Sequence, residues 1–308
     1  MLKNSNHLKA DLLLVVVTLL AAAGWIFSKE ALQGLPPILF IGIRFLLAGL
    51  ILALLGHKSF AKLSAKGLKR SLMTGAVFAI AMVCWIMGLF NAEHIGEGAF
   101  ITSTAVVLVP IMARWIFGEH PALSTWLALP IAMTGLAFLS LDLSGNNGFH
   151  LETSQLLFLS AAVIFALHFN LNTRMVAEVP ALVLTSLQLM VVGVVALVIS
   201  LLAEEWPQAV TGDIWGWLLA SAIIATSLRF FLQTFAQGLA PASHAAVILT
   251  IEPIWTTLLA GVWFGEQMTT TQLVGCGLIF SALLVNRWQW VRVLIKGFQK
   301  PLKTKIGQ

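Results

Sequence analysis

The sequence predicts an all-α integral membrane protein with ten transmembrane helices, built as two inverted five-helix repeats. Three observations lead there. Hydrophobic residues make up 59% of the 308 positions and charged residues 10%, whereas an ordinary soluble domain is about a quarter charged. The apolar residues fall into ten runs of the length that a bilayer crossing requires, about 20 residues. A Phe-Gly-Glu triplet at 117–119 returns at 264–266, which marks the chain as a duplicated unit.

The runs follow one another with short breaks. The first extends from about Asp11 to Phe27. Lys3, Lys9 and the Ala21-Ala22-Ala23 stretch would also suit a cleaved signal peptide, but nine similar runs follow and the repeat needs this one, so it reads as a retained helix. The second follows Pro36-Pro37 and ends near Gly56; the third is Ser71–Phe90, the fourth Ile95–Phe117 and the fifth Leu123–Leu141. Past the polar stretch Asp142–Glu152, the sixth is Ser154–Asn172 and the seventh Pro180–Ala203. The eighth is Trp215–Gln237, the ninth Ala242–Phe264 and the tenth Thr270–Asn286. The units are residues 1–142, residues 153–290 and a basic tail, 291–308.

Lys and Arg in short loops set orientation. Lys3 and Lys9 precede the first run, and Lys58, Lys62, Lys66, Lys69 and Arg70 fill the loop after the second. Arg114 and Arg174 flank loops on that same side, and the tail adds Arg287, Arg292, Lys296, Lys300, Lys303 and Lys305. The opposite loops carry Lys29 with Glu93, Asp142, Glu152, Glu204, Glu205 and Asp213. Both termini are therefore expected in the cytoplasm of a multi-pass inner-membrane protein. The net charge of +5 is explained by topology and lipid headgroups, so no nucleic-acid partner is expected. Cys84 and Cys276 lie inside apolar runs and imply neither a disulfide framework nor a metal site.

The repeat extends beyond the triplet. At the offset of 147 that relates Glu119 to Glu266, Leu72 meets Leu219 and Ala99 meets Ala246. Earlier in each half the offset is 144, pairing Pro36 with Pro180 and Arg44 with Gln188. Five spans per half is an odd number, so the second copy is inverted, a recurring plan of secondary transporters with a site near the midplane.

Arg44 in the second span, Glu252-Pro253 in the ninth, and the Gly-Glu after the fourth and ninth resemble the drug/metabolite transporter superfamily, and within it the EamA-type exporters. The resemblance covers about Leu12 to Val285. One departure is that Pro110 precedes its Phe-Gly-Glu by seven residues and Pro253 by eleven. The resemblance implies a cavity between the halves and export of small metabolites, such as amino acids or related compounds, by alternating access.

Charges deep in a bilayer are costly and mark function. Glu252 lies about ten residues, or ~15 Å, into the ninth span, and Arg229 at a similar depth in the eighth. The two are expected to pair, or to act as a gate or proton site; a static ion pair that orders helices is the alternative. Pro253 and Pro110 are expected helix kinks, since proline removes a backbone donor. Arg44 suits either a solute carboxylate or helix carbonyls, with Gln188 as its neutral counterpart. His168 suits proton transfer or a core position. Trp25 and Trp85 are expected to wall the cavity, and Ser103, Gln233 and Thr250 to offer polar contacts, there or between helices.

No His-Glu-x-x-His, Gly-x-Ser-x-Gly or Walker sequence is present, so neither an enzyme nor a cofactor is expected. The partners expected are a small-molecule solute and the lipid bilayer, with a homodimer left open. A multidrug exporter, a metabolite importer, and a non-transporting scaffold or lipid-handling subunit are the rival readings. Coupling to protons and simple facilitated diffusion both remain open.

Overall fold

The computed structural model describes residues 2–61, 63–92, 95–140, 152–264 and 270–286. Glu93, Asp142, Gly265-Glu266 and the basic tail lie outside the described residues. In chain order the helices are α1 (Leu2–Ala31), α2 (Pro37–Phe60), α3 (Ala65–Asn91), α4 (Ile95–Ser103), α5 (Ala105–Trp115), α6 (Leu123–Ser140) and α7 (Thr153–Met175). They continue with α8 (Ala181–Ala203), α9 (Gly212–Ala220), a π-helical segment (Ser221–Leu228), α10 (Arg229–Gln237), α11 (Ala242–Leu249), α12 (Glu252–Phe264) and α13 (Thr270–Asn286). Among the described residues seven stretches are long and apolar enough to cross a membrane; Ile101–Trp115, Leu123–Gly135 and Leu273–Ala282 are shorter apolar helices.

Two of the expected continuous spans are interrupted. The fourth divides into α4 and α5 at Thr104, and the ninth into α11 and α12 at Thr250-Ile251. The cause is local. The Thr104 and Thr250 hydroxyls donate to the carbonyls of Ile101 and Val247, three residues back, at 2.6 Å each. Their backbone N–H groups turn to the same carbonyls at 3.1 and 3.2 Å. This tightens the turn and leaves the i−4 ladder. The repeat offset places Thr104 opposite Ile251, so the interruptions lie within one residue of equivalent positions. Pro110, an expected kink, sits inside α5, six residues past the interruption at Thr104. Pro253 is the second residue of α12, where the N–H it lacks would have no intrahelical partner.

The halves meet chiefly where α2 packs on α8, with α6 on α13 as a second seam. Along α2 the partners descend α8 in order. Gly42 abuts Leu197, Gly49 abuts Met190 and Gly56 abuts Leu182, while Leu46 faces Gly193. The two helices therefore run antiparallel. The contacts are reciprocal under the offset of 144: Gly49 matches Gly193, and Leu46 matches Met190. A Cβ on Gly49 would stand 2.8 Å from the Met190 nitrogen, and one on Gly193 2.5 Å from the Leu46 nitrogen. Both glycines thus admit backbone contact that a larger residue would prevent. At its start α2 is secured by Glu204, beyond the end of α8. Its carboxylate accepts from the N–H groups of Ile38 and Leu39 at 2.8 Å each, groups that would otherwise lack partners.

Gly193→Leu is expected to cost at least roughly 1–3 kcal/mol of overpacking, because its Cβ meets backbone. Gly216→Ala, with nothing within 4 Å of the added carbon and a position inside α9, should not lower the Tm of purified protein in detergent. Equal Tm values for the two variants would remove the crossing from the stability argument.

Candidate functional site

A cavity of about 160 Å³, partly open to solvent, lies among residues of both halves. Trp25 (α1), Arg44 (α2), Trp85 (α3), Ser103 (α4), His168 (α7), Arg229 and Gln233 (α10) and Glu252 (α12) all line it. The α11–α12 interruption positions the acid: Glu252 is the first residue of α12.

One Glu252 oxygen accepts from Trp25 Nε1 at 2.9 Å, and the other stands 3.8 Å from Arg229 Nη2. That ionic contact is longer than the ~2.7–2.9 Å of a close charge-assisted hydrogen bond. The pair is therefore matched in charge without being tightly forked. The Arg229 guanidinium also lies over Phe230 at 4.2 Å, and its Nε has no hydrogen-bond partner among the described residues. The Oε1 of Gln233, one turn further along α10, is likewise without a partner there. Trp25 and Trp85 meet edge to face at 4.9 Å, a geometry that the aromatic quadrupole favours.

Arg44 is turned to protein rather than left free. Its Nε donates to Thr226 at 2.5 Å, Nη1 to Ser28 at 2.8 Å, and Nη2 to the Ala225 carbonyl at 3.4 Å. His168 is buried, stacked on Phe78 at 4.3 Å, with Nε2 2.8 Å from Gln188 Oε1. Gln188 lies behind the cavity wall and donates to Asn172 at 2.8 Å. Asn172 in turn donates to Thr234 at 3.2 Å and to Gln237. Thr250 does not line the cavity; its hydroxyl is spent on the interruption of the ninth span. Ser103 reaches the cavity while bonding the Ala99 carbonyl at 2.7 Å.

The sequence reading missed Ser28, Thr226 and the aromatic floor of Phe45, Phe78 and Phe230. A signal for Ser28 was present. Ser28–Arg44 and Asn172–Gln188 have the same separation of 16 residues and are related by the repeat offset. Among the described residues no three His, Cys, Asp or Glu side chains converge to hold a metal ion.

The model of the EamA-like transporter family matches residues 8–141 and again residues 153–288. The chain belongs to that family. Its relatives include the Bacillus subtilis uncharacterized transporter YoaV, 22% identical over 92% of this chain and 98% of the relative. The Bacillus subtilis uncharacterized transporter YvbV is 26% identical over 92% and 94%. The uncharacterized inner membrane transporter YedA of Escherichia coli strain K12 is 24% identical over 84% of each. A solved crystal structure, 18% identical, superposes with a TM-score of 0.77 over 92% of this chain and 98% of that one, a likeness of fold. This EamA-like protein is thus a multi-pass membrane transporter that handles small molecules.

The ion pair should be energetically real. In a cycle of Arg229→Gln, Glu252→Gln and the double variant, the double loss should fall short of the summed single losses. About 0.5–1 kcal/mol is expected, reduced because both side chains keep about a fifth of their exposure. Denaturation in detergent measures it, and strict additivity would mean that the contact carries no coupling.

Proposed function

We propose that this EamA-like protein exports small polar or amphipathic metabolites, amino acids or related compounds, across the inner membrane as a secondary carrier. The observation that carries this reading is the Arg229–Glu252 pair beside Trp25, an opposite-charge couple held loosely inside a cavity shared by both halves. A zwitterion is complementary to it. Its carboxylate would compete with Glu252 for Arg229, and its ammonium group would take up Glu252 and the Gln233 oxygen, which has no partner among the described residues. The indole and phenyl walls would cover an apolar body.

In this reading the ten apolar stretches are ten crossings, five per half, with residues 1–142 and 153–290 as the repeats and both termini cytoplasmic. The antiparallel α2–α8 seam and the reciprocal glycines support an inverted arrangement, because second helices of same-facing repeats would run parallel. Rocking of the halves about that seam would open the cavity to each side in turn.

The test is an untargeted solute profile of spent medium from cells overexpressing the intact chain, its Glu252→Gln variant or an empty vector. Enrichment of one metabolite class with the intact chain alone is the expected result, and its chemistry names the solute. Depletion of that class from the medium would make the protein an importer, and three identical profiles would end the carrier reading.

A further inference from the structure

The span Gly212–Gln237 passes through the π-helical segment Ser221–Leu228 at mid-length. We propose that Arg44 is a positioning residue that locks this segment in its π register, and that this register aims Arg229, Gln233 and Gln237 inward.

Wide turns leave carbonyls displaced from the α ladder, and side chains in the segment fill those places. Thr226 Oγ1 donates to the Ser221 carbonyl, and Ser227 Oγ to the Ala222 carbonyl, each five residues back, at 2.8 and 3.0 Å. Arg44 then fastens the outside of the segment through Thr226 Oγ1 and the Ala225 carbonyl. The Ala48 carbonyl of α2, 3.2 Å from Ser227 Oγ, shares that hydroxyl's single proton with Ala222. From α1, Gly24 closes the packing: a Cβ there would lie 2.9 Å from the Ala225 Cβ.

The register has a consequence for α10. A π segment accommodates one extra residue per run, so every residue beyond it is turned by about 100° from its place in an uninterrupted α-helix. In the π register the inward stripe at i, i+4 and i+8 is Arg229, Gln233 and Gln237. In a plain α register the same stripe would be Leu228, Leu232 and Ala236, which is wholly apolar. The partner of Glu252 and the far end of the Asn172–Gln237 link would both turn away.

The repeat supplies an internal comparison. At the offset of 147 the segment corresponds to residues 74–81, which lie within the regular helix α3. Thr226 corresponds to Ala79, which has no hydroxyl. Gln188, the counterpart of Arg44, bonds His168 and Asn172 instead. The π register therefore occurs in the half where the Arg44–Thr226 contact exists. That contact joins the first half to the second, so the aim of Arg229 is tied to the relative placement of the halves.

The test uses the full chain in detergent with Cys84→Ser and Cys276→Ser, and a single reporter thiol introduced by Gln233→Cys or by Leu232→Cys. The readout is the rate of modification by a charged, water-soluble methanethiosulfonate. With Arg44→Gln or Thr226→Val, the thiol at 233 should react about tenfold more slowly and the one at 232 faster, as expected when the inward orientation falls to about a tenth of the population. Thr226→Ser, which keeps the hydroxyl, should match the parent. Unchanged rates at both positions would overturn the proposal, and so would a parallel rise at both, which signals general loosening. If Arg44→Gln does not give monodisperse protein, the Thr226→Val and Thr226→Ser pair decides by the same criteria.

Discussion

Inside a bilayer no water is available to a stray donor, acceptor or charge, so each must find its partner within the protein. That constraint explains more of this molecule than hydrophobicity does. It is why the hydroxyl at each interrupted span donates back to a carbonyl of its own helix rather than standing unpaired. It is why Glu204 reaches back to the first amides of α2. It is also why three guanidinium nitrogens of a buried arginine end on a serine, a threonine and a carbonyl. Apolar surface decides that the helices lie in lipid; polar satisfaction decides where along them the chain departs from ideal geometry.

Those departures are where the cavity lies. Glu252 opens α12 because α11 has just ended, and Arg229 opens α10 because the π segment has just ended. Both charged groups of the central pair thus sit at the restart of a regular helix. At such points the backbone's own demands are relaxed, and a side chain can be directed into space that a continuous helix would fill.

The apolar runs and the duplication were legible because they rest on period and composition, which are properties of long stretches. Glu252, Arg229 and Arg44 were legible because a deep charge is conspicuous against 59% hydrophobic residues. The interruptions at Thr104 and Thr250 were not, since threonine is an ordinary membrane-helix residue and its choice of carbonyl depends on the final backbone. Proline drew attention instead, although α5 carries Pro110 within its run. The π register was hidden for a similar reason: serine and threonine are ordinary membrane-helix residues, and the contact from Arg44 comes from a remote part of the chain. The link from His168 through Gln188 to Asn172 depends on how α7 and α8 are packed together, which no single window of sequence reveals.

The α2–α8 crossing has the reciprocity of an interface in a symmetric dimer, where each partner presents the same surface to the other. Such a dimer of identical halves would be obliged to carry any residue twice. Arginine at the second-helix position would appear on both sides, and the cavity would carry duplicate charge. Joining the halves in one polypeptide lifts that obligation. It lets Arg44 stand where the other half has Gln188 and a π turn where the other half has a regular one, so that a pocket on a near-symmetric scaffold is lined by different polar groups from each half.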